Sequence, residues 1–152
     1  MLGDPPRDND GVVVPHDHAD ISDDDVIIKR VSPNDIHTGQ DGIIRIATTL
    51  FGASSDKYSG SSINIAKIIE ANGLTIEAYC SQFPNVVGAI SVPASSIRKH
   101  GAKVGFEPLE NDRAHGEIWD LKGKSNIKDL MRECRIEFGL ENLTCIYPAK
   151  KD

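Results

Sequence analysis

The chain has 152 residues, of which 39% are hydrophobic and 26% charged, and its 17 basic and 23 acidic side chains give a formal net charge of −6. This length and composition suit one soluble globular domain that folds without a disulfide or a metal. The negative charge repels polyphosphate backbones, which disfavours nucleic acid as a partner. No apolar stretch approaches the roughly 18 residues that cross a bilayer, so we expect no membrane association.

The N-terminus and the cysteines indicate a cytoplasmic protein. Asp4, Asp8 and Asp10 lie where a secretory signal has basic and then apolar residues. The three cysteines are odd in number, widely spaced and set among apolar neighbours, which favours reduced core thiols over a disulfide framework or a zinc site. They are Cys80, Cys134 and Cys145.

Residues 1–25 differ in composition from the rest of the chain. They contain eight aspartates, and their only apolar run of three residues is 12–14. This composition is typical of a flexible or loosely docked acidic lead. Its histidines and aspartates could bind zinc or manganese, but a metal site needs ligands that rigid neighbours fix. We therefore interpret His16, Asp17, His18, Asp20 and residues 23–25 as solvated and predict no metal site.

From Val26 the pattern changes to that of an ordered domain, which we expect to span residues 26–148. Residues 26–31 are rich in β-branched side chains and predict the first strand. Ser32 and Pro33 start a helical turn, residues 43–50 predict a second strand, and residues 51–62 a loop. The spacing of isoleucines predicts a helix from Ile63 to Ala71.

The second half continues with short elements. Thr75 is expected to cap a short helix, residues 86–92 form a buried strand, a proline-started turn ends at Gly101, and residues 103–108 form another strand. Alternation predicts a strand with His115, Glu117 and Trp119 on one face. The last helix is expected to be capped by Ser125, with an apolar stripe reaching Phe138, before a final strand over residues 143–148.

These elements favour the α+β class. Strands outnumber long helices and do not alternate cleanly with them, which argues against a doubly wound sheet. We predict a single compact domain with a mixed or antiparallel sheet, short helices and one longer C-terminal helix.

The sequence has none of the common catalytic motifs. There is no G-x-S-x-G elbow, P-loop, G-x-G-x-x-G turn after a strand or H-E-x-x-H helix. His115 and Glu117 form the His-x-Glu pair of zinc deaminases, but no Cys-x-x-Cys follows to complete a metal shell. Hydrolase, NTPase, dehydrogenase and metalloprotease functions therefore lose their usual support.

Five short segments resemble a group of small, functionally uncharacterised bacterial proteins. They are RVSP, SSIN, an EP strand end, AHGEI and IYP, and they occur between Val26 and Pro148. This resemblance implies one shared domain and no particular activity.

A second resemblance rests on the order of Arg30, Ser62 and Glu117. An arginine or histidine on one strand, a serine on a second and a glutamate on a third is similar to the layout with which ADP-ribosyltransferase-like folds hold NAD; the likeness extends to RNA 2′-phosphotransferases. It implies that Arg30 pairs with phosphate, Ser62 orients the ribose, and Glu117 stabilises positive charge on the sugar. His115 stands where many transferases have a further glutamate, so the acceptor is left open.

We therefore expect Arg30, Ser62, His115 and Glu117 to line one cleft as catalytic residues. In the segment YSGSSIN, Tyr58 and Asn64 are expected to contact the cofactor. No motif demands a cofactor, and NAD or another nucleotide is the ligand that the resemblance implies.

The alternative is a purely structural role for the same side chains. Arg30 would be an exposed strand residue, Ser62 a helix cap, His115 a hydrogen-bonded core histidine and Glu117 the ion-pair partner of Lys103 or Arg113. The chain would then be a non-catalytic adaptor or accessory subunit that binds a larger protein partner through its acidic lead and exposed loops.

Overall fold

The computed structural model describes residues 2–55 and 57–151 and has one antiparallel six-stranded sheet at its centre. The strand order is β6-β7-β4-β1-β5-β8, and a separate two-stranded sheet is formed by β2 and β3. The strands are β1 (Val26–Val31), β2 (Ile36–Thr38), β3 (Ile44–Ile46), β4 (Ser61–Ile65), β5 (Gly88–Pro93), β6 (Lys103–Phe106), β7 (His115–Trp119) and β8 (Arg135–Gly139).

Four α-helices lie around the sheet, and the longest precedes the last strand. They are α1 (Ala66–Ala71), α2 (Ile76–Cys80), α3 (Ala94–Lys99) and α4 (Lys124–Glu133). Two short 3-10 helices cover Pro33–Asp35 and Thr48–Phe51. The predicted α+β class is confirmed, with an antiparallel sheet. Within the described ranges, no helix is long and apolar enough to cross a membrane.

One face of the sheet, the core face, carries the main hydrophobic core. Alternate residues of β1 and β4, such as Ile27 and Ile65, point to this face because side chains alternate along a strand. They pack with Ile97 of α3 and with Leu130 and Met131 of α4. The opposite face, the site face, has a smaller apolar cluster under α1 and α2, and the remaining area is left to polar side chains.

Several predicted elements are present. β1, the turn after Ser32 and β7 lie where the sequence places them, and β5 begins two residues later than the predicted strand over residues 86–92. The Thr75 hydroxyl accepts a hydrogen bond from the Ala78 amide and so caps α2 as expected. Cys80, Cys134 and Cys145 are free thiols, and burial raises the pKa of Cys80 to about 11 and that of Cys134 to about 12.

Other predictions are wrong in detail. The strand predicted over residues 43–50 is only β3, followed by the 3-10 helix Thr48–Phe51. Ile63 and Ile65 belong to β4, and the helix begins after them. Gly123, and not Ser125, precedes α4.

The C-terminal region differs most from the prediction. The helix ends at Glu133, and Phe138 belongs to β8, which pairs with β5. Residues 143–148 form no strand. The pairing of β8 with β5 supplies hydrogen-bond partners to the outer edge of β5, and this tertiary contact outweighs the local helical periodicity.

The lead lies against the domain. Val13 and Ile21 are 2% and 1% exposed, so they contribute to its interior. The His18 amide donates to the Val104 carbonyl, the Val104 amide to the Asp17 carboxylate, and the Phe106 amide to His16 Nε2. These bonds satisfy the outer edge of β6, which would otherwise be open to other chains. The flexibility of this segment stays a prediction.

Candidate functional site

A buried carboxylate, Asp112, organises the site face beside β1 and β4. Asp112 is 4% exposed and accepts hydrogen bonds from Arg30 Nη2 at 3.3 Å and from Asn64 Nδ2 at 2.9 Å. The Tyr79 hydroxyl also donates to it, and burial together with this bond raises the pKa of Tyr79 to about 12. Three donors, one of which is a cation, thus compensate for the burial of the charge.

Arg30 is held in place by two contacts. Besides its ion pair with Asp112, its guanidinium stacks on the Phe83 ring at 3.6 Å from the ring centre. Its Nε and Nη1 groups have no acceptor among the described residues. Arg30 is therefore fixed in orientation and still has donors to offer to a ligand.

An open cleft of about 350 Å³ lies where β1 and β4 separate. β1 pairs with β5 over six residue pairs but with β4 over only Ile27–Ile65 and Ile28–Asn64. Beyond these pairs the two strands line opposite sides of the cleft, β1 with Arg30 and β4 with Ser62 and Asn64. The structure therefore brings together three of the predicted site residues.

Asn64 presents an unsatisfied acceptor at this cleft. The residue is 1% exposed, and its Oδ1 is buried and has no hydrogen-bond partner among the residues that the structure describes. The amide orientation follows from chemistry, because the Asp112 carboxylate can only accept and so takes the Nδ2 donor. A buried acceptor without a donor is costly, and a ligand N–H or O–H would satisfy it.

Lys29 brings a second cation to the cleft. Its ammonium donates to the Ser62 carbonyl and, at 3.3 Å, to Ser61 Oγ, and so takes the place of the missing strand pairing. Burial lowers the pKa of Lys29 to about 8, although the negative charge of Glu117 acts in the opposite direction. The cleft is thus lined by two basic groups.

His115 connects Ser62 to β6. Its Nδ1 lies 2.9 Å from the Glu107 carbonyl oxygen and 3.4 Å from the Glu107 carboxylate. A carbonyl only accepts, so Nδ1 carries the proton, and in the neutral ring Nε2 accepts from the Ser62 hydroxyl at 3.0 Å. This order of hydroxyl, imidazole and acceptor can increase the basicity of Ser62 Oγ.

Glu117 lies beyond His115 and outside the first cleft. It is 5% exposed, and its Oε1 is 3.7 Å from His115 Nε2. It lines a smaller cavity of about 270 Å³ together with Tyr58, Glu107, Trp119 and the lead. Lys103, which the purely structural alternative named besides Arg113 as a partner of Glu117, forms its ion pair with Asp120.

Tyr58 faces the lead. Its hydroxyl donates to the Asp8 carboxylate at 2.7 Å, and this bond raises the pKa of Tyr58. Lys57 binds the same carboxylate at 2.7 Å, and the two bonds hold the pKa of Asp8 below its usual range. Tyr58 thus shares a cavity with Glu117 and is separate from the cleft of Arg30.

One group of side chains in the described part of the chain could hold a metal ion. Ligand atoms of Glu107, His115 and Glu117 lie within 4.8 Å of one another. Two carboxylates and an imidazole suit manganese, iron or zinc. Of the N-terminal histidines, the His16 ring accepts from the Phe106 amide at the edge of β6, and the His18 ring contacts the Gly3 carbonyl and the Asp20 amide within the lead.

Five residues that shape the site are not among those predicted from the sequence. Asp112 lies in a turn, Glu107 follows β6, and Tyr79 and Phe83 belong to the α2 region, so no local motif connects them to Arg30. Lys29 alone had a visible signal, since it is a charged residue inside the β-branched run of β1. The missed residues are Lys29, Tyr79, Phe83, Glu107 and Asp112.

Comparison of the chain with protein-family models, with curated proteins and with solved structures finds no match.

Proposed function

We propose that this chain is a small transferase-like domain that recognises NAD or a related nucleotide in the cleft between β1 and β4. The observation that carries the proposal is the shared cleft of Arg30, Ser62 and Asn64. A bidentate arginine suits a phosphate, and the buried acceptor of Asn64 suits a ribose hydroxyl or a carboxamide.

The arrangement of strands supports the same proposal. Arg30 lies on β1, Ser62 on β4 and Glu117 on β7, which are neighbours in the sheet. Ser62 is paired with Glu117 in register, so both side chains point to the site face. A ligand bound at Arg30 that extends past Ser62 towards His115 would bring its reactive sugar near Glu117, where a carboxylate stabilises developing positive charge.

Binding is tested by urea denaturation and calorimetry with NAD, ADP-ribose and AMP. A ligand at 100 times its dissociation constant stabilises the folded chain by about 2.7 kcal/mol. Arg30→Ala is expected to abolish this increase, measured against the variant's own ligand-free stability. Arg113→Ala is the matched control, because Arg113 is exposed and lies outside the cleft.

Chemistry is tested separately from binding. Glu117→Gln is expected to retain NAD binding but to lose the release of nicotinamide. Nicotinamide release is measured by chromatography, once with a chelator and once with added manganese. Absence of stabilisation by all three nucleotides, or full stabilisation of Arg30→Ala, would contradict the proposal.

The adaptor function is the second candidate, and the edge of the sheet favours it. β8 is a terminal strand, and in the described ranges no strand pairs with its outer edge. Its Ile136 is 45% exposed. The lead suits the predicted partner contact less well, since Asp8, Asp17, Asp23 and Asp25 form ion pairs within the chain. Failure of nucleotide binding leaves this candidate as the better one.

A further inference from the structure

A separate cavity of about 310 Å³ lies between the β2–β3 hairpin and α4. It shares no lining residue with the Arg30 cleft or with the cavity of Glu117. Its polar lining consists of His37, Arg45, Thr48, Lys124, Lys128 and Tyr147.

The basic groups of this cavity come in two pairs. His37 and Arg45 are opposite each other in the β2–β3 register, so they share one face of the hairpin. Lys124 and Lys128 are four residues apart on α4 and so lie on one side of the helix. No carboxylate lines the cavity within the described chain. This concentration of positive charge contrasts with the net charge of −6 of the whole chain.

The protein itself neutralises these cations only in part. Asp41 binds Nη2 of Arg45 at 2.7 Å, but Nε of Arg45 is buried without a hydrogen-bond partner. Lys124 and Lys128 have no ion pair among the described residues, and like charges at this spacing repel each other. An anion in the cavity would relieve this repulsion and accept from the buried Nε.

Further donors surround the same space. α4 starts after Gly123 without a side-chain cap, so the first amides of the helix are left for another acceptor. Thr48 and Tyr147 add hydroxyl groups to the lining. A phosphate group has enough oxygen atoms to accept from several such donors at once, whereas a carboxylate has two.

We propose that His37, Arg45, Lys124 and Lys128 form a binding site for the phosphate group of a small molecule. The site is independent of the nucleotide cleft proposed above, because none of its residues lies there.

The test is calorimetric titration of the full chain with inorganic phosphate, with ionic strength held constant by chloride. The wild-type chain is expected to bind phosphate saturably, and Lys124→Gln/Lys128→Gln to bind it at least about tenfold more weakly. Lys122→Gln/Lys151→Gln removes the same charge outside the cavity and should leave the affinity unchanged. Removing cations from the first turns of α4 does not disfavour the helix, so the double variant is expected to fold.

Two results would overturn the proposal: no saturable phosphate binding by the wild-type chain, or equal weakening in both double variants. Arg30→Ala separates the two sites, since phosphate binding should survive this change even if NAD binding is lost. Phosphate binding that disappears in Arg30→Ala would place the ligand in the other cleft and also reject this site.

A parallel titration with AMP distinguishes a nucleotide phosphate from the free phosphate ion as the ligand. Tighter binding of AMP than of phosphate, lost in Lys124→Gln/Lys128→Gln, supports a nucleotide phosphate. An affinity for AMP equal to that for phosphate supports the free ion.

Discussion

At the scale of single residues, the site face depends on charges that are buried and compensated. Asp112 is surrounded by donors from β1, β4 and α2, and it fixes Arg30 and Asn64 at the cleft. Lys29 leaves β1 on the opposite side from Arg30, on the core-face side of the cleft. It is compensated less fully, and burial lowers the pKa of its ammonium to about 8. The buried positive charge of Lys29 therefore lowers the stability of the fold at neutral pH.

This gives a pH-dependent prediction for Lys29. Between pH 8 and 10.5 the folded chain releases a proton that the unfolded chain keeps, so Lys29 makes the free energy of unfolding rise with pH in this window. The difference in unfolding free energy between wild type and Lys29→Met should shift in favour of wild type by about 1–2 kcal/mol from pH 7.5 to 9.5. Urea denaturation at both pH values measures it.

The comparison with a variant is necessary because buried thiols act in the opposite direction. The raised pKa values of Cys80 and Cys134 lower stability as unfolded thiols ionise, in both proteins equally. Lys122→Met, at an exposed position, is the control and should show no shift. An identical difference at the two pH values would show that Lys29 is solvated normally.

At the scale of elements, the lead functions as a substitute for a further strand beside β6. The side chain of Asp17 accepts from the Val104 amide at 3.0 Å and also binds Arg98 Nε. Gly105 allows this approach, because a Cβ there would lie 2.2 Å from the Trp119 ring and 2.9 Å from the His16 carbonyl. The covering of a strand edge by side chains is harder to recognise in a sequence than a paired strand is, because the residues that bind the edge follow no regular spacing.

We predict that Asp17→Ala lowers the free energy of unfolding by about 1–3 kcal/mol, because it leaves the Val104 amide without its acceptor. Asp24→Ala removes the same charge from an exposed position without a described partner and should change stability by less than about 0.5 kcal/mol. Equal effects of the two changes in urea denaturation would argue that the lead does not cover the edge in solution.

At the scale of the whole molecule, the acidic lead and the domain form one packed unit in this structure. Val13 and Ile21 are almost fully buried, and burial of each contributes roughly 1.5–3 kcal/mol. Deletion of residues 1–25 should therefore destabilise the chain by roughly 3 kcal/mol or more and expose the β6 edge to self-association. Urea denaturation and light scattering measure the two effects; a truncated chain as stable and monomeric as the full one would support a dispensable, flexible lead.

Much of the local structure follows from the residue pattern alone. The β-branched run of β1, the Ser-Pro start of a turn, the Thr75 cap and the alternation in β7 each depend on neighbouring residues, and each is present. They also predict the α+β class and the common face of His115 and Glu117. The turn and the cap can be predicted because their hydrogen bonds close within a few residues. The two strands pair with distant segments, but their β-branched or alternating side chains already mark them as strands.

The contacts of the predicted site residues, in contrast, depend on the fold. Arg30 meets Asp112 across 82 positions of sequence, and Ser62 meets His115 across 53. Three further features likewise depend on partners far away in the chain. They are the separation of β1 from β4, the formation of a strand by residues 135–139 and the docking of the lead. Such contacts satisfy buried polar groups wherever the fold brings a partner, and no spacing in the sequence records which partner that is.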